Sequence, residues 1–60
     1  MSQALWYDAK VMRPKVDSDV FIDTNFGRLC VHYGEYGYEI PLAWWSIGTP
    51  VVLLWRYGRA

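Results

Sequence analysis

The sequence predicts an all-β fold, a small antiparallel meander or partly open barrel of four or five short strands with at most one helical turn. Three observations carry this. Apolar and polar residues alternate with period two on both sides of Asn25-Phe26-Gly27. A second apolar run, rich in Val and Leu, follows Pro50. And the chain is aromatic-rich, with four Trp, five Tyr and two Phe among 60 residues.

The hairpin is the clearest element. In Val20 to Thr24, Val20, Ile22 and Thr24 point one way and Phe21 and Asp23 the other. Gly27 supplies the positive φ that a short hairpin loop needs. In the return strand, Arg28 to Tyr33, one face carries Leu29, Val31 and Tyr33 and the other carries Arg28, Cys30 and His32. Leu5 to Met12 reads as a first strand. Arg13 to Asp19 reads as a polar connection, with Pro14 and the turn formers Asp17, Ser18 and Asp19. Gly34 and Gly37 bracket a turn or bulge around Glu35 and Tyr36. Tyr38 and Ile40 then open a strand that Pro41 confines to an edge. Leu42 to Ile47 reads as a strand or a single helical turn. Val51 to Tyr57, uniformly apolar through Trp55, has the look of a strand buried on both faces.

Size limits the rest. Sixty residues make one domain with a thin core, and small domains need a staple. With one Cys and one His, neither a disulfide nor a structural zinc site is expected. Aromatic bulk is the remaining means, at roughly 150–250 Å² buried per ring. The single Cys fits a reducing cytoplasm, that of a host cell, and the start of the chain lacks the pattern of a signal peptide. Ile40 to Trp55 carries no charge, but at 16 residues, interrupted by Pro41, Gly48 and Pro50, it falls short of the roughly 18 that suggest a span. No membrane partner is expected.

Six basic and six acidic residues give zero net charge. That argues against nucleic acid as the main partner, where a basic face supplies affinity, and favours self-association, so a homodimer is one expectation. No catalytic constellation stands out, and no cofactor or metal is expected. Cys30 and His32 share a strand face, as a nucleophile and base would, but a dyad also needs an orienting group and a pocket. Asp17, Asp19 and Asp23 read as solvated turn residues. As functional groups they suit basic residues on a partner protein. Tyr36 and Tyr38, between Glu35 and Glu39, suit a recognition loop. Of the adjacent Trp44 and Trp45, one belongs to the core and the other is exposed as a hot-spot candidate. Arg56 and Arg59 sit beside Trp55 and Tyr57 and are read as stacking on rings. The expected protein-binding residues are Asp17, Asp19, Tyr36, Tyr38 and Trp45.

Ala4-Leu5-Trp6-Tyr7-Asp8-Ala9 and Trp44-Trp45 are similar to two landmarks of Src-homology-3 domains, but the gap between them is too long and Gly48-Thr49-Pro50 comes too soon. A broader pattern covers most of the chain. It comprises Trp6, then Pro14 with Asp17 and Asp19, the strand Val20 to Thr24, and the turn Asn25 with Gly27. Arg28 to Tyr33 and a closing Val52 with Trp55 complete it. This resembles a family of short phage- and prophage-encoded domains of unknown function. The resemblance implies origin and not chemistry. The expected role is a phage or mobile-element accessory protein that binds and inhibits a host protein, for example an anti-CRISPR-type inhibitor. The alternatives are a structural or oligomerisation module and a weak single-stranded nucleic-acid binder using Trp and Arg.

Overall fold

The computed structural model describes residues 5–58. Its elements are β1 (Tyr7–Asp8), β2 (Ser18–Thr24), β3 (Gly27–Gly34), β4 (Gly37–Tyr38), α1 (Leu42–Ile47) and β5 (Val52–Tyr57). The fold is mainly β, as expected, and the sheet curls into a half-barrel. All its pairings are antiparallel. The strand order is β1-β5-β2-β3-β4. Strands β2, β3 and β4 form a meander, and β5 returns to lie between β1 and β2.

The β2–β3 hairpin has the expected register. Val20 faces Val31, Ile22 faces Leu29, and Thr24 closes the turn on Gly27. Thr24 Oγ1 donates to the Gly27 carbonyl at 2.8 Å and accepts from the Phe26 N–H at 3.0 Å. Gly27 has φ +130°, where a Cβ would be strained. The strand starts two residues earlier than expected, because Ser18 and Asp19 already pair with Tyr33 and His32.

Trp55 anchors the core. It is fully buried with Val20 and Ile22, while Val31 and Tyr33 are nearly so. Its register places Tyr7 on one side and Ile22 on the other. Its ring lies 4.7 Å from Tyr7 and 4.9 Å from Tyr57. The indole N–H donates to the Met12 carbonyl at 2.9 Å, so the segment between β1 and β2 is strapped to the core. Pro14 is buried within that strap.

Two expectations require correction. The first strand does not run from Leu5 to Met12; only Tyr7–Asp8 pairs. The Asp8 carboxylate accepts the Lys10 N–H, and its carbonyl accepts those of Val11 and Met12, which turns the chain away. Strand β5 is not buried on both faces, since Trp55 alone is buried and Leu53 and Tyr57 are exposed. Its unbroken apolarity is split by a register shift: Asp23 faces Leu54 but Thr24 faces Val52. Leu53 is the extra residue, and the bulge brings Val52 back to the core side. Of the two readings open for Leu42 to Ile47, the helical one holds, so Trp44 and Trp45 stand on a helix.

The opposite face of the sheet is held by cations on rings. Arg56 lies 4.7 Å from the Phe21 ring centroid and 5.6 Å from that of Trp6, and Arg28 lies 4.9 Å from Trp6. Arg28 also meets Asp23 at 3.5 Å. Arg56 therefore stacks as expected; Arg59, like Ala4, lies outside the described residues.

Trp55→Ala should cost about 3–5 kcal/mol, comparable to the whole stability of a small domain. Urea unfolding followed by circular dichroism should show the cooperative transition lost or shifted almost to zero denaturant.

Candidate functional site

Two groups of side chains, at opposite ends of the sheet, are candidates. The first is where β2 begins and β3 ends. Because the hairpin closes Thr24 on Gly27, Asp19 falls directly opposite His32. Their side chains meet at 3.0 Å through Nδ1, and Asp17 reaches Nε2 at 3.3 Å. Asp17 has φ +70°, tolerable for Asp. Its N–H donates to the Tyr33 carbonyl at 2.7 Å. Glu39 adds a third carboxylate: its Oε2 lies 2.7 Å from where a Cβ on Gly34 would sit, and the His32 ring is 3.9 Å from the same point. The hydrogen bond that His32 donates to Asp19, and then that to Asp17, hold its pKa above its ordinary 6.5. Among the described residues no cluster of His, Cys, Asp or Glu has the arrangement of a metal site.

The β3–β4 hairpin ends at the same place. Gly34 pairs with Gly37, so Glu35 and Tyr36 form its tip, and Gly37 takes φ +108°. Tyr36 is fully exposed. Tyr38 is not a free contact residue. Its ring packs edge-on at 4.8 Å against Tyr33, and its hydroxyl is buried without a hydrogen-bond partner. That burial raises the phenol pKa.

The second group surrounds α1, at the β2–β3 turn. Asn25 organises it. Its side chain accepts from the Val51 N–H at 2.8 Å and donates to the Thr49 carbonyl at 3.2 Å, and its own N–H donates to the Val51 carbonyl. These bonds fasten the chain after α1 to the turn. Phe26 then lies so close to Gly48 that a Cβ there would sit 2.9 Å from the ring, and its centroid is 6.4 Å from that of Trp44. Trp44 is the half-buried tryptophan and Trp45 the exposed one.

The helix itself is weakly supported. Six residues are far below the roughly 12–15 at which isolated helices become stable, no side chain caps its N-terminus, and none of its residues is buried. Leu42 is 84% exposed, Ile47 70% and Trp45 49%. Phe26, against Trp44 and Gly48, and Val51, bonded to Asn25, are exposed as well. Val51 also lines a groove of about 240 Å³ with Val52, Leu53, Leu54, Asp8 and Lys10. Leu42 and Trp45, three residues apart, share one side of the helix, whereas Ile47, two residues after Trp45, points to another.

The expected site residues are thus divided. Asp17, Asp19 and Tyr36 share one end, Tyr38 turns inward, and Trp45 lies on the helix docked near the β2–β3 turn, at the other end of the eight-residue β3. Leu42, Ile47, Phe26 and Val51 were not anticipated. A helical reading of Leu42 to Ile47 would have put Leu42 and Trp45 on one stripe, at spacing i, i+3. The partner of His32 was legible too, since counting outward from the turn sets it against Asp19 and not Cys30. Among the described residues no helix is long and apolar enough to cross a membrane. Comparison with protein-family models, curated proteins and solved structures finds no match.

The two adjacent tryptophans should separate cleanly in stability measurements. Trp45→Ala should change unfolding free energy by no more than about 0.5 kcal/mol. Trp44→Ala, which uncovers Phe26, should cost about 1–3 kcal/mol. Chemical denaturation of both variants checks this.

Proposed function

We propose that this domain binds another protein through the apolar surface of α1, with Trp45 as its central anchor and the curled sheet as a rigid support. The observation that carries the reading is that Leu42, Trp45 and Ile47 are each exposed on one short helix that buries none of its residues, with Leu42 and Trp45 on the same side of it at spacing i, i+3. A helix with so little intramolecular support is consistent with one completed by a partner. Trp is favoured at such positions because it offers large area for few rotatable bonds. The acidic end, with Asp17, Asp19 and Tyr36, is the secondary surface.

The narrower form of the proposal is a phage or mobile-element accessory protein that inhibits a host protein. It is supported by the small size of the chain and by the resemblance carried by Trp6, Pro14, the central hairpin and Trp55. A non-enzymatic role is supported by His32, the only imidazole, whose two nitrogens both face carboxylates and are not directed to Cys30. Self-association is the second reading, favoured by the absence of charge from Ile40 to Trp55.

The test is capture from a bacterial lysate by the wild type and two variants, Trp45→Ala/Ile47→Asp and Asp17→Asn/Asp19→Asn/Tyr36→Ala. The first variant should lose a stoichiometric partner and the second should keep it, with Trp45→Ala alone weakening binding by about 2 kcal/mol or more, roughly 30-fold. The reverse pattern would move the contact to the acidic end. Retention by both would refute the surface. If only bait is recovered and light scattering shows a dimer that Trp45→Ala/Ile47→Asp dissociates, the oligomerisation reading replaces binding to a host protein.

A further inference from the structure

The geometry around His32 points to a pH-operated latch: as an imidazolium, His32 holds Asp17 and Asp19 together and fastens the end of the strap to the sheet, and loss of one proton releases Asp17. The argument is one of donors and acceptors. Both ring nitrogens face carboxylate oxygens, Nδ1 toward Asp19 at 3.0 Å and Nε2 toward Asp17 at 3.3 Å. An ionised carboxylate only accepts, and a neutral imidazole has one N–H. Only the protonated ring can satisfy both contacts. Once it is neutral, one nitrogen must turn a lone pair toward a negative oxygen.

The contact that breaks is the one to Asp17. Asp19 is held across the hairpin by strand pairing, and its own carbonyl accepts the Gly58 N–H at 2.7 Å. Asp17 lies just before the strand, and its side chain is 84% exposed. Its φ of +70° is a conformation that costs a non-glycine residue free energy. The charged bond offsets that cost, and its loss leaves only the backbone bond to Tyr33 at this point. From β2 and its approach the ring faces Asp19 and Asp17. From beyond β4 it faces Glu39, whose negative charge also favours the protonated form. On its own strand, Arg28 is engaged by Asp23. Release therefore leaves Asp17 and Glu39 without their shared cation and frees the strap at Val16 and Asp17, while the Lys15 N–H stays bonded to the Tyr57 hydroxyl at 3.1 Å.

The sign follows from linkage. A His whose pKa is raised by folding adds stability that is fully present below about pH 6.5 and disappears as pH rises through the folded-state value.

The test is a pH titration of the ¹⁵N-labelled protein by nuclear magnetic resonance, reading His32 ring nitrogens and backbone exchange together. The expected midpoint lies above 6.5, and the neutral ring carries its proton on Nδ1. Exchange of the Val16 and Asp17 amides should rise severalfold through that midpoint, beyond the intrinsic pH effect. Asp19→Asn and Asp17→Asn should each lower the midpoint, Asp19→Asn by more. A midpoint at or below 6.5, a neutral ring protonated on Nε2, or strap exchange that ignores the midpoint would overturn the latch. The wild-type readings decide the matter even if a variant fails to fold.

Discussion

The burial of one indole sets the terms for the rest of this molecule. Trp55 lies where β1, β5 and β2 meet, covered by Tyr7 and Tyr57 and packed with Ile22 and Val20. A buried Trp needs a partner for its N–H. Here the partner is the Met12 carbonyl, so satisfying one polar atom also draws the strap across the core. A chain of 60 residues without a disulfide has few other ways to close. The two-residue β1 is a consequence: it needs only to bring Tyr7 onto Trp55 before Asp8 turns the chain into the strap.

The core is built from the sheet alone, and α1 is left outside it. The helix is held at its edges, by Trp44 on Phe26 and by Asn25 on the Thr49–Val51 backbone. Its remaining apolar side chains face outward. The other end of the sheet has the opposite character, with three carboxylates around one imidazole. The molecule is therefore polarised along its strands into an apolar end and an acidic end. A partner that fits one end has the wrong chemistry for the other.

The hairpin was legible because its signal was doubled. Period-two alternation fixed the faces, and Gly27 with Asn25 fixed the turn, so register followed down to the Asp19–His32 pair. Strand β5 was legible as a strand but not in its burial. Val51 to Trp55 is apolar at every position, and periodicity carries no information when every residue is alike. The bulge at Leu53 is set by pairing with β2 and β1, contacts distant in sequence. For α1, the adjacent tryptophans suited helix and strand equally, and a six-residue segment is too short for periodicity to choose. The candidate site was half legible for the same reason. That one of Trp44 and Trp45 would be exposed was foreseen, but which one, and the exposure of Phe26, Leu42, Ile47 and Val51, depends on where the helix docks. Tyr38 was misplaced because alternation beyond Gly37 puts it beside Tyr33, a contact visible only once the second hairpin is drawn.

The account rests on a firm sheet carrying a helix that its own core does not stabilise. Native-state hydrogen exchange of the isolated protein measures that directly. The amides of β2, β3 and β5 should exchange only through global unfolding, while those of Trp45, Ser46 and Ile47 should exchange through a local opening of much lower free energy. If the α1 amides were instead as protected as those of β2, the helix would be an integral part of the core, and the case for α1 as a surface completed by a partner would fail.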